Sequence, residues 1–382
     1  MKIGFVSTYF WPFEGGAERN CFFNAKELAK KHEVHVFTSD RKGEQVLAKK
    51  EEIVSGIKIH RCREFFRFGY YFPFYLSMLS KVLETDLDIL HVQSIGFLQH
   101  DFIVLLKKLF SPKTKLVNTP HGPFMARSKS PFSKILKSTI KFIENPVNAL
   151  YSATIIITKQ QKKWLKEFSL HNPVVVANGL QPEFFKEVNT EDFVKQSGLK
   201  NKFVFSYIGR IQDYKGVQHF ISCLGNLIRD YPNVVFLIGG KDDGYLAELK
   251  SLVDAKKLRD YVIFLGELDE ETKIKALEAS DVYVFPSEWE AFGISMLEAM
   301  ARGNAIITTK TEGGLFLVKP YVNGLHYQFR DIFALEKCAR FMLENPKKVQ
   351  KMQQINRILA KNFLWEDLAK KLEKVYRDLL TS

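Results

Sequence analysis

The sequence predicts an α/β protein built from two Rossmann-like domains, and three observations carry that prediction. The chain has 382 residues, more than a single hydrophobic core usually serves. Short apolar, β-branched runs alternate with amphipathic stretches of helical period, the pattern of βαβ units and parallel sheets. The alternation stops at Asn178-Gly179-Leu180-Gln181-Pro182 and then begins again.

In the first half, strands are expected at 2–8, 34–38, 57–61, 89–92, 116–119, 154–158 and 174–177, with a helix at 17–30. In the second half, strands are expected at 203–208, 234–238, 262–265, 282–285 and 305–308. Helices at 216–229, 245–256, 272–278 and 293–302 lie between them. Gly179 and Pro182 punctuate the join, so the domains are expected at 1–180 and 181–364. Beyond Asn345-Pro346 two helical segments finish the chain, the last over 365–382. Right-handed crossovers leave ligand crevices at the carboxyl ends of parallel strands.

The apolar share of 46% and charged share of 26% are those of an ordinary globular protein. Cys21, Cys62, Cys223 and Cys338 form no C-x-x-C pair, which fits a reducing compartment and no zinc site. The apolar start is broken by Pro12 and Glu14 and reads as a first strand rather than a signal peptide. An uncharged run such as 145–158 falls short of the ~20 apolar residues that span a bilayer. A cytoplasmic protein is expected, with room for peripheral attachment to the inner face of the membrane. Residues 1–185 carry 27 Lys and Arg against 16 Asp and Glu, and the remainder 29 against 27. That asymmetry suits either a solubilising surface or an acidic partner of the first domain, such as anionic lipid.

The most informative stretch is Pro286-Ser287-Glu288-Trp289-Glu290-Ala291-Phe292-Gly293-Ile294-Ser295-Met296-Leu297-Glu298. Glu290 and Glu298 are eight residues apart, about 12 Å along a continuous helix at 1.5 Å per residue. Two carboxylates so spaced can hold the hydroxyls of two rings joined by a pyrophosphate. The free N–H groups near Phe292, Gly293 and Ile294 would face the anion between them. On spacing alone, Glu298 equally suits a solvated position opposite Ile294, Leu297 and Ala301.

Arg210 and Lys215 stand in Gly209-Arg210-Ile211-Gln212-Asp213-Tyr214-Lys215-Gly216, directly after an expected strand. Two fixed cations there can stabilise a departing diphosphate, although a basic turn after a strand is common. Gly15-Gly16 after the first strand lets backbone N–H groups approach a phosphate, or makes a plain turn. It lacks the G-x-G-x-x-G pattern of NAD enzymes. His121, in Thr119-Pro120-His121-Gly122, ends a strand and is placed to line a crevice.

Taken together, these pieces resemble glycosyltransferase family 4, the retaining sugar-nucleotide-dependent transferases of the GT-B fold. The most specific match is Ala279-Ser280-Asp281-Val282-Tyr283-Val284-Phe285-Pro286-Ser287 running into Glu290-x7-Glu298. The supporting matches are Gly15-Gly16, His121-Gly122, Asn178-Gly179, Gly209-Arg210 and Lys215-Gly216. The resemblance implies two Rossmann-like domains facing across a deep cleft, the first taking the acceptor and the second the nucleotide-sugar. It also implies a C-terminal helix that crosses back to the N-terminal domain.

By the same resemblance, Arg210 and Lys215 bind the donor diphosphate, with Gly15 and Gly16 adding backbone N–H groups. Glu290 contacts the transferred sugar, Phe292, Gly293 and Ile294 present N–H groups beside it, and Glu298 holds the ribose. His121 sits beside the sugar on the acceptor side. The family's favoured account is a front-face displacement in which the leaving phosphate helps deprotonate the acceptor. No cofactor and no metal are then expected, and no D-x-D motif accompanies the donor residues. The chain departs from the family pattern at Gln181, at Leu315-Phe316-Leu317-Val318 and at Gly303-Asn304-Ala305, which leaves the donor preference open.

Two basic, aromatic stretches point to a membrane or to core packing. One crowds Phe65, Phe66, Phe68, Tyr70, Tyr71, Phe72, Phe74 and Tyr75 around Arg61, Arg63 and Arg67. The other interleaves Lys129, Lys134, Lys137 and Lys141 with Phe132, Ile135, Leu136, Ile140 and Phe142. Such mixtures suit anionic headgroups. The expected partners are thus a nucleotide-sugar donor, a saccharide or lipid-linked acceptor and an anionic membrane surface. A nucleotide-sugar epimerase of the same fold, or a non-catalytic sugar-nucleotide- or lipid-binding partner protein, are the rival readings. Nucleic acid is not expected, because the basic bias comes without a recognition motif.

Overall fold

A computed structural model describes residues 1–13, 15–42, 44–68, 72–122 and 131–381, without the side chains of 68, 72, 131–137 and 140. Two compact units are present. Unit 1 comprises Met1–Gly179 together with Trp365–Ser382, and unit 2 comprises Leu180–Leu364.

Unit 1 is built on an eight-stranded sheet. Its strands are β1 (Lys2–Val6), β2 (Glu33–Ser39), β3 (Glu51–Val54), β4 (Ile57–Cys62), β5 (Ile89–Gln93), β6 (Lys115–Thr119), β7 (Ala153–Ile156) and β8 (Pro173–Val175). The spatial order is β8-β7-β6-β5-β1-β2-β4-β3. All neighbours are parallel except β3 on β4. The inner strands read as continuous apolar runs because helices cover both faces of a parallel sheet; β5 is buried at every position. The sequence pattern does not show β3, since its exposed Glu51 and half-buried Glu52 mark an edge rather than a core. The helices of this unit include α1 (Gly16–Ala29), α2 (Leu76–Glu84), α3 (Leu98–Phe110) and α4 (Pro131–Asn148).

Unit 2 holds a six-stranded, wholly parallel sheet of β9 (Phe203–Ile208), β10 (Val234–Gly239), β11 (Val262–Gly266), β12 (Val282–Phe285), β13 (Ala305–Thr309) and β14 (Gly324–Tyr327). Its order is β11-β10-β9-β12-β13-β14. The chain therefore runs outward one way from β9 and, after returning, outward the other way from β12. Loops leaving two such adjacent strands diverge and open a crevice at their carboxyl ends. Helix α5 (Ile294–Ala301) follows β12, and every residue from Met296 to Ala301 is buried.

The departure at Gly303-Asn304-Ala305 has a structural counterpart. Asn304 is fully buried and its amide donates to the carbonyls of Leu277 (2.8 Å) and Ser280 (2.7 Å), tying the turn before β13 to the segment before β12. The last helix, α6 (Trp365–Thr381), belongs to unit 1 and lies on α1. Trp365 stacks on Phe23 with ring centroids 5.4 Å apart, and the Tyr376 hydroxyl reaches His91 Nδ1 at 2.5 Å.

Candidate active site

In unit 2 two of the residues singled out by sequence, Lys215 and Glu290, come together in the loops that leave the carboxyl ends of β9 and β12. Lys215 Nζ lies 2.8 Å from Glu290 Oε2, with side-chain exposures of 10% and 21%. The lysine sits over the faces of Tyr214 (4.9 Å) and Phe285 (5.6 Å), so its stem is packed while its charge meets the carboxylate. The two loops are also joined through backbone, since Glu288 N donates to Tyr214 O at 2.8 Å. Gly216 is in the left-handed region (φ +72°), and a Cβ there would stand 2.2 Å from Pro286 O. Only glycine allows this approach.

Arg210 reaches outward from the same loop. Its side chain is 59% exposed and pairs with Asp243 at 3.1 Å, while its other terminal nitrogen donates to the Tyr214 hydroxyl at 3.1 Å. Tyr207 fixes the loop from within by donating to Arg210 O at 2.7 Å.

Glu290 is not on a helix. Helix α5 begins at Ile294, and Glu290 stands in the loop before it. The separation of about 12 Å drawn from continuous helical rise therefore does not apply. Gly293 caps α5 in the left-handed region (φ +85°) and turns the chain into it. Phe292 is buried against Phe316 and Phe363, so its side chain anchors the turn. Gly313 N donates to Glu290 O at 3.1 Å, which ties the Gly313-Gly314 segment to the same loop. The departing residues Leu315-Phe316-Leu317 continue that segment as the helix Glu312–Leu317, and Phe316 packs on Phe292.

Glu298 is only 3% exposed, which removes the reading of it as a solvated helix position. Lys273 Nζ bonds it at 3.0 Å and also bonds Glu270 at 2.8 Å. Lys273 has no signal in the sequence, because it lies 25 residues from Glu298 among the ordinary charges of an amphipathic helix. Tyr283 is another such residue. Its hydroxyl stands 2.6 Å from Ile208 O and 3.0 Å from Ser295 Oγ, a polar group within an apolar strand that joins β9, β12 and α5.

The other three candidates are in unit 1. Gly15 and Gly16 open α1, Gly15 as its extended N-cap. The Glu18 carboxylate lies where a Gly15 side chain would be, 2.1 Å from that Cβ position, with Lys42 at 3.5 Å from Glu18. An anion approaching these glycines meets a carboxylate first. Glu14 of this motif lies outside the described residues.

His121 has a left-handed backbone (φ +58°), and its Nε2 is 2.6 Å from Gln93 Oε1 at the end of β5. Gln161 Nε2 donates to His121 O at 3.2 Å, so both neighbouring strand ends hold it. Burial pushes its pKa down to about 4. The ring is therefore neutral at pH 7 and donates from Nε2 to the glutamine carbonyl.

Of the basic and aromatic stretches, Tyr75 is wholly buried and Arg61 is buried against Glu52, so neither is at the surface. Phe65, Phe66, Phe74 and Phe142 are exposed. Tyr70, Tyr71, Lys129 and the side chains of Phe68, Phe72, Phe132, Lys134, Ile135, Leu136, Lys137 and Ile140 lie outside the described residues. Among the described residues no group of three or more His, Cys, Asp or Glu is placed to hold a metal ion, and no helix is long and apolar enough to cross a membrane.

A family model described as Glycosyltransferase Family 4 matches residues 14–184, and one described as Glycosyl transferases group 1 matches residues 189–359. The chain belongs to glycosyltransferase family 4.

This family 4 glycosyltransferase is 26% identical over 318 residues to a phosphatidyl-myo-inositol mannosyltransferase of Mycolicibacterium smegmatis, covering 81% of this chain and 76% of that protein. It is 23% identical over 376 residues to the gpi3 subunit of a phosphatidylinositol N-acetylglucosaminyltransferase of Schizosaccharomyces pombe, covering 97% and 79%. Its structure matches a sucrose-phosphate synthase from Thermosynechococcus elongatus with a TM-score of 0.80 at 20% identity, over 100% of this chain and 99% of the other. HepE of Anabaena, solved in complex with UDP and glucose, matches with a TM-score of 0.78 at 19% identity, over 99% and 100%. The fold is GT-B, and the chain is a glycosyltransferase of that type.

Proposed function

We propose that this glycosyltransferase moves a hexosyl unit from a UDP- or GDP-linked sugar to a saccharide or lipid-linked acceptor, with retention at the anomeric carbon. One observation carries the reading: at the divergence of β9 and β12, the Lys215–Glu290 pair (2.8 Å) stands beside the tip of α5. A cation, a carboxylate and helix-start N–H groups at one point suit a sugar joined to a diphosphate.

In this reading Lys215 and Arg210 neutralise the diphosphate as it leaves, and Glu290 accepts hydrogen bonds from the hydroxyls of the moving sugar. The N–H groups of Phe292, Gly293 and Ile294 face the anionic oxygens. Glu298, oriented by Lys273, takes the ribose hydroxyls. In unit 1, Gly15 and Gly16 are read as adding N–H groups, with Lys42 beside Glu18 at 3.5 Å offsetting its charge. His121, held neutral by burial and donating from Nε2 to Gln93, accepts a hydrogen bond at Nδ1 beside the sugar without supplying charge. The leaving phosphate oxygen takes the acceptor proton, so neither a protein base nor a metal cofactor is called for. The two phosphatidylinositol-directed relatives, by their names, favour a lipid-linked acceptor, and unit 1 is read as the half that meets it at an anionic membrane.

The test is a panel of UDP-glucose, UDP-galactose, UDP-GlcNAc and GDP-mannose read out as nucleotide release, with Glu290→Ala as control. One donor should stand out, and the variant should lose most turnover. Product anomeric configuration, read by NMR, decides retention. Full release by Glu290→Ala would refute the site.

A further inference from the structure

Helix α3 of unit 1 buries a mixed polar and apolar side and leaves an apolar side exposed. Its inner side places Ile103 and Val104 in the core at 0% exposure. Even Lys107 turns inward, donating to the carbonyls of Val82 (3.0 Å) and Thr85 (2.7 Å). Its outer side carries Phe102 (61% exposed), Leu105 (44%), Leu109 (69%) and Phe110 (69%). The outer side thus inverts the usual amphipathic order, in which the apolar side faces the core, and exposed apolar patches of this kind mark interaction surfaces.

The patch continues onto the elements that α3 touches. Strand Phe72–Phe74, paired antiparallel with Phe66–Phe68, packs on α3 and leaves Phe66 and Phe74 exposed, and α4, which also packs on α3, leaves Phe142 exposed. Charge then selects what covers this face. Arg63, Lys108 and Lys113 are exposed in and beside it. The one acid on α3, Asp101, and Glu144 of α4 are buried; desolvation raises both pKa values, and the Asp101 charge raises that of Glu144 further. Glu64, beside the antiparallel pair, is bound by Arg67. Apolar side chains among cations, with the local acids withdrawn or paired, complement a negatively charged apolar phase rather than a neutral protein surface.

We infer that the outer face of α3, with the Phe66–Phe68/Phe72–Phe74 pair and the exposed part of α4, docks on an anionic lipid bilayer and sets how the enzyme sits on it. This rests on the proposal that the acceptor is lipid-linked at a membrane, and it commits that proposal to one face of unit 1.

The experiment uses the full chain and sedimentation with phosphatidylcholine vesicles, with and without phosphatidylglycerol. Binding should require the anionic lipid. Phe102→Gln and Leu109→Gln should each weaken it about tenfold, and Lys108→Glu with Lys113→Glu by about tenfold or more. Ile358→Gln, an equally exposed apolar position in unit 2 (65%), should leave it unchanged. Leu109→Cys carrying an environment-sensitive dye should shift to the blue on anionic vesicles only.

Equal loss in Ile358→Gln, equal binding to both vesicles, or a dye that does not respond overturns the inference. So does a wild-type dimer that Phe102→Gln or Leu109→Gln converts to monomer, because the face then covers a second copy of the chain. Nucleotide release from the donor, measured without vesicles, reads unit 2 independently. Its absence sinks the transferase reading and leaves the vesicle result standing, and its presence without vesicle binding does the reverse.

Discussion

Replacing Lys215 with methionine keeps most of the side-chain volume that packs on Tyr214 and Phe285 and removes the charge. The structure separates two consequences. Glu290 loses a partner at 2.8 Å while remaining 21% exposed. Breaking a fully buried pair costs about 3–5 kcal/mol and an exposed pair close to nothing, so this partly screened pair should cost about 1–3 kcal/mol of stability. For a unit the size of Leu180–Leu364, each kcal/mol is about 2–4 °C in Tm. The expected fall is therefore about 2–12 °C by calorimetry. The second consequence is catalytic. A fixed charge aimed at a departing diphosphate is worth about 100- to 1000-fold in kcat, and nucleotide release should drop by that much at temperatures where the variant is folded. The double variant with Glu290→Gln should regain part of the stability and none of the turnover. A variant that melts early yet turns over within about threefold of wild type would show that Lys215 only supports Glu290, and would refute its role in departure.

Three further outcomes are expected from the same geometry. Gly216→Ala forces a Cβ against Pro286 O in left-handed backbone, so it should cost about 1–3 kcal/mol and most activity, measured by denaturant unfolding and nucleotide release; near-neutral behaviour in both would contradict the locked loops. Lys273→Met takes the Nζ partner from the 3%-exposed Glu298 and should cost about 3–5 kcal/mol by urea unfolding, partly recovered by adding Glu298→Gln. His121, pushed down to about 4 by burial, gives up stability only as pH falls from its unfolded value near 6.5 through about 4. The pH–rate profile should therefore show no break near 6.5 that His121→Asn abolishes, and such a break would overturn the neutral-imidazole reading.

The physics of each element decides how much of it was legible in the residues. Parallel strands buried on both faces announce themselves as apolar runs, and every strand expected at the centre of either sheet is present within a few residues. The edge strand β3 and the two short antiparallel pairs, Arg41–Lys42 with Gln45–Val46 and Phe66–Phe68 with Phe72–Phe74, carry charges or exposed aromatics, and only their pairing partners define them. The placement of Arg210, Lys215 and Glu290 could be read because each follows an apolar strand run directly or within a few residues, in the loops that leave β9 and β12. Lys273, Tyr207 and Tyr283 act through contacts between distant segments and leave no local pattern. The helical spacing of Glu290 and Glu298 failed for a specific reason: the left-handed Gly293 delays the start of the helix to Ile294.

The central claim is that the loops after β9 and β12 bind a nucleoside diphosphate. Isothermal titration of the full chain with UDP and with GDP tests it most directly. One of the two should bind saturably to the wild type, more than tenfold more weakly to Arg210→Met and Lys215→Met, and unchanged to His121→Asn. Indistinguishable isotherms for wild type, Arg210→Met and Lys215→Met would contradict it.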